Sequence, residues 1–92
     1  MIISFKHKGL RTFYETGQTR GIRADQARRI GHILAMLDEA HSLEDLNRPS
    51  LKLHELIGNR AGTWSISVNG PWRITFVFED GKFLDLDLEQ YH

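Results

Sequence analysis

The feature that most constrains this chain is a change of hydrophobic period near residue 51. Before that point apolar residues recur every three or four positions, as in amphipathic helices, and after it they recur every second position, as in strands that bury one face. Strands of this kind suit an antiparallel sheet covered on its apolar face by helices. We therefore expect an α+β fold, with two N-terminal helices packed on one face of an antiparallel sheet of about four to five strands. The apolar strand positions are Leu51, Leu53, Trp64, Ile66, Val68, Trp72, Ile74, Phe76, Phe78, Leu84, Leu86 and Leu88.

The first half of the chain predicts two helices after a short opening strand at Ile2, Ile3 and Phe5. A first helix over residues 7–15 should end at Gly17, since glycine readily takes the left-handed cap conformation. A second should begin at Asp25 as its N-cap and run to about Ala40. Its apolar stripe is Ala27, Ile30, Ile33, Leu34 and Leu37.

Strand register follows from keeping apolar residues on one face, because a one-residue slip reverses every side chain. A three-residue loop at 69–71 satisfies this condition in the first hairpin. In the second, a two-residue Asp80-Gly81 turn would bring carboxylates into the core, so a three-residue loop at 80–82 is favoured. The predicted pairs are Val68–Trp72, Ile66–Ile74, Ser67–Arg73, Phe76–Leu86, Ile74–Leu88 and Arg73–Glu89.

Length and composition favour one globular domain over residues 1–92 in the cytoplasm. The chain lacks cysteine, which excludes thiolate metal sites and thiol nucleophiles. It shows neither a signal peptide nor an apolar run of membrane-spanning length, so no membrane contact is expected. Net charge is zero, yet residues 1–30 hold seven basic and two acidic side chains. That basic end either faces phosphate or an acidic partner, or is simply solvated.

The polar face of the sheet carries the groups best suited to chemistry. Arg73 lies between core residues, so its guanidinium should emerge on that face, where it could bind phosphate or simply pair with Glu89. His54 occupies the same kind of position, and His92 follows Tyr91 at the end of the chain. Two imidazoles and a guanidinium could cleave a phosphodiester without metal, although a lone histidine is more often an ordinary surface residue.

Other patterns are weaker, and we expect no metal and no cofactor. His7, His32 and His41 lack zinc-ligand spacing, and the alternating acids at 85–89 are typical of a solvated strand face. The glycine-rich stretch 58–62 lacks the lysine of a P-loop.

The sequence resembles the HigB-type toxins, plasmid-maintenance killer proteins of the RelE/ParE superfamily, over essentially its whole length. The motifs that carry the resemblance are Ile3-Ser4-Phe5-Lys6-His7-Lys8-Gly9-Leu10, Asn47-Arg48, Lys52-Leu53-His54-Glu55-Leu56, Gly58, Arg60, Gly62, Trp64-Ser65-Ile66, Val68, Trp72-Arg73-Ile74-Thr75-Phe76 and Tyr91-His92.

This resemblance implies a ribosome-dependent, metal-independent mRNA endonuclease that acts in the ribosomal A site. It also implies a HigA-type helix-turn-helix antitoxin that silences the toxin, with operator DNA bound only through the toxin–antitoxin complex. The residues carried over as catalytic are His54, Arg73, Tyr91 and His92. Those assigned to substrate binding are Lys52, Arg60, Trp72 and Gln90.

Three departures from the family pattern predict weakened activity. Ile57 and Asn69 replace basic residues of some relatives, and Gln90 replaces a common acid. Two other functions stay open: a ParE-like toxin that binds DNA gyrase without cleaving anything, and a weakened toxin that serves mainly as antitoxin partner and co-repressor. RNA ends and plasmid supercoiling measured after induction would separate the three.

Overall fold

Residues 1–90, which the computed structural model describes, form two helices and a four-stranded antiparallel sheet. The strands follow chain order, β1-β2-β3-β4, so each pairs with its neighbour in sequence. The expected α+β architecture is confirmed. The elements are α1 (Lys8–Thr16), α2 (Ala27–Glu39), β1 (His54–Glu55), β2 (Thr63–Asn69), β3 (Trp72–Glu79) and β4 (Lys82–Gln90).

The helix ends are fixed by local hydrogen bonds. At the start of α1, His7 Nδ1 accepts from the Leu10 N–H at 3.1 Å. At its end Gly17 takes the left-handed conformation, as predicted, and its N–H bonds to Phe13 O at 2.9 Å. The prediction that Asp25 caps α2 is wrong: a 3₁₀ turn, Ala24–Gln26, leads into the helix, and the Asp25 carboxylate binds Arg23 at 3.0 Å.

One hydrophobic core lies between the helices and the sheet. The predicted stripe of α2 is buried there, with Ile30, Ile33 and Leu37 showing no exposed surface. Full burial of such side chains stabilises the fold by ~1.5–3 kcal/mol each. No helix within residues 1–90 is long and apolar enough to span a membrane.

The opening residues do not form a full strand. They make two isolated parallel bridges to β4, Ile2 to Phe83 and Phe5 to Leu86. Main-chain bonds such as Ile3 N to Phe83 O at 2.8 Å cover the outer edge of β4. An otherwise open edge is thereby protected from pairing with another chain.

The first hairpin has the predicted register except next to its turn. Ile66 faces Ile74 and Ser67 faces Arg73, as expected. The Val68–Trp72 pair is wrong, because an irregularity between Ser67 and Asn69 brings Asn69 opposite Trp72.

The predicted three-residue loop of the second hairpin is also wrong. Glu79 pairs with Lys82 across a two-residue turn in which Asp80 and Gly81 both have positive φ. This type of turn matches the twist of paired strands.

A bulge at Asp85, whose φ is +56°, then supplies the extra residue that the long loop would have supplied. Phe83 rather than Leu84 therefore enters the core, whereas Leu84 pairs with Val77 on the other face. Beyond the bulge, the Arg73–Glu89 pair and the Ile74–Leu88 pair are as predicted.

The first strand is shorter than the alternation at Leu51 and Leu53 suggested. Leu51 closes a 3₁₀ turn, Pro49–Leu51, and Lys52 is left-handed with a φ of 49°. Regular pairing begins only at His54, which faces Ser65 on β2.

Candidate active site

The strand pairing brings His54 and Arg73 to the same face of the sheet. Directly opposed residues of antiparallel strands point the same way, as do residues two apart on one strand. His54 opposes Ser65, and Arg73 opposes Ser67 on the same strand. Both therefore lie on the face turned away from the helices, as the sequence predicted.

Ser65 lies between these two groups and has no exposed surface. The half-buried Arg73 donates from Nη1 to Ser65 Oγ at 3.4 Å, a long hydrogen bond. Ser65 is also the strand partner of His54, so it lies between the two predicted catalytic residues.

The imidazole of His54 is oriented by the main chain. Its Nδ1 lies 3.1 Å from Lys52 O, and a carbonyl oxygen can only accept, so Nδ1 carries the proton. The lone pair is then on Nε2, the ring atom suited to removing a proton. Lys52, one of the predicted substrate-binding residues, is exposed and contributes its left-handed backbone to this contact.

A second polar cluster surrounds Glu89. Arg60 binds its carboxylate through two hydrogen bonds of 2.9 and 2.7 Å, and the Thr75 hydroxyl donates to the same group. Arg60 holds the pKa of Glu89 below its usual range. Arg60, predicted to bind substrate, therefore has its charge engaged by a carboxylate.

Two other predicted substrate-binding residues lie elsewhere. Trp72 and Gln90 oppose each other across β3 and β4, on the face that the helices cover. Trp72 packs partly into the core, and Gln90 is exposed. They do not meet His54.

Tyr91 and His92 lie outside the described residues, so their predicted roles stay predictions. Among the three departures, Ile57 is 90% exposed and presents an apolar side chain to solvent. Asn69 turns toward the helices, where its Oδ1 accepts from Gln26 Nε2 at 2.9 Å.

Sequence reasoning did not identify Ser65 and Thr75 as site residues. Both are buried on the outward face, at 0% and 3% exposure. The alternation placed them on the correct face, but serine and threonine at outward strand positions are ordinarily solvent-exposed, so nothing in the sequence indicated their burial. Within residues 1–90 no group of three or more His, Asp or Glu side chains is arranged to hold a metal ion.

The fold is shared with two solved structures that contain YoeB. One is YoeB in the YoeB–YefM complex from Staphylococcus aureus, with a TM-score of 0.59 and 18% identity, over 100% of this chain and 95% of that one. Another is the YoeB dimer from the same organism, with a TM-score of 0.56 and 18% identity, over 99% and 94%. At this identity the likeness concerns the fold alone.

Sequence comparison gives the family. Residues 3–92 match the model described as the RelE-like toxin of type II toxin-antitoxin system HigB, and the chain belongs to this family. It is 48% identical over 92 residues to Endoribonuclease HigB of Proteus vulgaris, covering all of both chains. It is 33% identical over 93 residues to Toxin HigB-1 of Vibrio cholerae serotype O1, covering 99% of this chain and 98% of that one. The resemblance inferred from the motifs is confirmed.

Proposed function

We propose that this toxin is a ribosome-dependent, metal-independent endoribonuclease that cleaves mRNA in the ribosomal A site. The observation that carries the proposal is the placement of His54 and Arg73 on one face of the sheet, with the buried Ser65 as the strand partner of His54 and the hydrogen-bond acceptor of Arg73. The name of the Proteus relative, an endoribonuclease, supports the same activity.

The chemistry follows from the groups present. His54 Nε2 takes the proton of a 2′-hydroxyl, whose oxygen then attacks the adjacent phosphorus. The bond to the 5′-oxygen of the next nucleotide breaks, and this leaving oxygen receives a proton from His92. The Arg73 guanidinium stabilises the charge of the pentacoordinate phosphorane, and Tyr91 stacks on a base. The products are a 2′,3′-cyclic phosphate and a 5′-hydroxyl end.

The partner is an antitoxin, because the family is the toxin half of a type II pair. We propose a HigA-type helix-turn-helix protein, with operator DNA contacted only through the complex. A solved YoeB–YefM complex of the same fold supports this kind of assembly. We place both proteins in the cytoplasm, where the ribosome is found.

The test is induction of the chain without its antitoxin, followed by mapping of RNA 5′ ends and measurement of translation. Cleavage should occur within translated codons and should cease when translation initiation is blocked. His54→Ala and His92→Ala should each abolish the new ends, since each removes one proton-transfer group.

Plasmid supercoiling measured in the same cells tests the rival activity. Growth arrest with altered supercoiling and intact mRNA would show a gyrase-directed toxin instead. Cleavage that persists when initiation is blocked would contradict ribosome dependence.

A further inference from the structure

A cleft of about 250 Å³ lies at the start of β3, on the face covered by the helices. Trp72 and Ile22 line it with apolar surface, and Arg20 and Arg23 contribute guanidinium groups. The Arg23 guanidinium is paired with the exposed Asp25 carboxylate at 3.0 Å. None of its lining residues within the described chain is a carboxylate. Aromatic surface beside cations is the combination that binds single-stranded nucleic acid, in which bases stack and phosphates are neutralised.

A close glycine contact fixes the cleft in shape. Gly21 packs against the start of α1 so tightly that a Cβ on it would lie 2.5 Å from the Gly9 Cα. Such spacing admits no side chain at either residue. The backbone that carries Arg20 and Arg23 is therefore held in place beside Trp72.

Two polar side chains complete the lining. Because His7 Nδ1 accepts from the Leu10 N–H, its proton lies on Nε2, which can donate. Gln26 has no exposed surface; its Nε2 donates to Asn69, whereas Oε1 lacks a partner among residues 1–90. A buried carbonyl without a donor is uncommon in native proteins and calls for an explanation.

We propose that this cleft binds one unpaired nucleotide of the RNA substrate. Its base stacks on Trp72, and one base N–H is donated to Oε1 of Gln26, which has no partner within residues 1–90. Its phosphate lies against Arg20 and Arg23, since the exposed Arg23–Asp25 pair contributes little stability and can be displaced. The inference rests on the proposed RNA cleavage and adds a subsite to it. Trp72 and Arg73 are adjacent on β3 with opposite orientations, so an RNA strand passing over the turn at 70–71 reaches both faces.

The experiment follows Trp72 fluorescence in a Trp64→Phe background, where it is the remaining tryptophan. The probe is a short 2′-O-methyl RNA, which cannot be cleaved because the nucleophile is blocked. Saturable quenching is expected, weakening as salt rises. Arg20→Ala and Arg23→Ala should each lower the affinity and reduce the slope of log affinity against log salt by ~0.7. Arg11→Ala, an exposed arginine on α1 that does not line the cleft, is the charge-matched control.

Stacking is tested by retaining or removing the aromatic ring, with binding of fluorescently labelled RNA as the readout. Trp72→Leu keeps apolar bulk for the core and should bind roughly 5- to 150-fold more weakly, the range measured for loss of one stacked base. Trp72→Phe should restore most of the affinity.

Absence of quenching at low salt, or equal effects of Arg20→Ala and Arg11→Ala, would overturn the subsite. RNA cleavage in a translating extract is scored separately with the unsubstituted protein. If the protein cleaves RNA but its Trp72 fluorescence is not quenched, the proposed function stands and the subsite is wrong. If the fluorescence is quenched but no RNA is cleaved, the nucleotide site stands and the proposed function is wrong.

Discussion

Among single residues, Arg73 is partly buried without belonging to the hydrophobic core. It is half-buried, yet it projects from the sheet face opposite the core, where it donates to the Ser65 hydroxyl. Its removal should therefore cost little packing and much chemistry. Its planar guanidinium can donate two parallel hydrogen bonds to a phosphate, whereas the ammonium of a lysine acts as a point charge.

We expect Arg73→Ala to remain folded while RNA cleavage falls roughly 10²–10³-fold, the usual cost of losing one group that stabilises transition-state charge. Arg73→Lys should recover only part of the activity, since lysine binds phosphate as a point charge. Primer extension on a translated message measures cleavage, and thermal melting measures folding. A folded, fully active Arg73→Ala protein would show that another group stabilises the phosphorane.

Glu89 should contribute a pH-dependent part of stability. Arg60 lowers the pKa of Glu89 in the folded state below the ~4.3 of a free glutamate. The contribution is therefore complete above that ordinary value and is lost as pH falls through the folded pKa. Because the pair is partly exposed, with Arg60 at 44% and Glu89 at 25%, we expect about 1 kcal/mol or less.

Urea unfolding between about pH 6 and pH 3 tests this expectation. The unfolding free energy of Glu89→Gln should fall less steeply on acidification than that of the unsubstituted protein. Glu79→Gln, at the exposed end of β3, provides the control and should follow the unsubstituted curve. Parallel curves for all three proteins would mean that the Arg60–Glu89 pair contributes no stability.

Among the elements, the two helices offer matched tests of glycine. Gly9 in α1 is buried, and a Cβ there would lie 2.4 Å from Gly21 O. Gly31 in α2 is roomier, and a Cβ there would lie 3.6 Å from the Phe13 ring, an ordinary contact. Helix propensity alone favours alanine at both positions by ~0.8–1 kcal/mol.

Gly9→Ala should therefore destabilise the protein despite its better propensity, whereas Gly31→Ala should stabilise it by up to about 1 kcal/mol. Chemical denaturation of both variants measures the difference. Equal stabilisation by the two changes would show that the 20–23 segment can move away from α1.

The spacing of apolar residues in the sequence predicts some features of these elements and not others. The stripe of α2 and the shared face of His54 and Arg73 were predictable, because both depend only on which side chains must be buried. The bulge at Asp85 was not, because a loop residue and a bulge residue give the same pairs further along β4. The choice depends on whether Phe83 or Leu84 fills the core, and Phe83 contacts both Phe76 and Phe78, with ring centroids 5.3 and 5.1 Å apart.

The polar contacts of the site were less accessible to prediction. Arg60 comes from a 3₁₀ turn, Gly58–Arg60, and no repeat connects it to Glu89 on β4. Its approach depends on the path of the loop between β1 and β2. That path is anchored by Glu55, whose carboxylate accepts from the Gly62 N–H at 2.8 Å.

For the whole molecule, charge is balanced overall but unevenly distributed, with the basic excess in residues 1–30. The loop after β1 instead presents the exposed, apolar Ile57. Ile57→Lys should raise cleavage, since added positive charge near the site attracts the RNA backbone. We expect an increase of several-fold at low salt that shrinks as salt rises.

Ile57→Gln is the matched control, because it removes the apolar surface without adding charge. Cleavage rates for both variants across a salt series separate the two effects. Equal increases in cleavage rate for the two variants would show that loss of the exposed apolar side chain, not added charge, is the cause. No increase for Ile57→Lys would mean that the RNA is contacted elsewhere, with the basic residues among 6–29 as the next candidates.

Because of the bulge at Asp85, a change of register near the β3–β4 turn need not alter the strand pairing at the site. A register with the extra residue in the loop and one with it in the bulge differ at residues 82–84 but converge before Glu89. Exchanging the two competing side chains, Phe83→Leu with Leu84→Phe, should move the extra residue into the loop and leave cleavage intact. The turn is thereby free to vary during evolution, because its changes are absorbed before they reach the catalytic face.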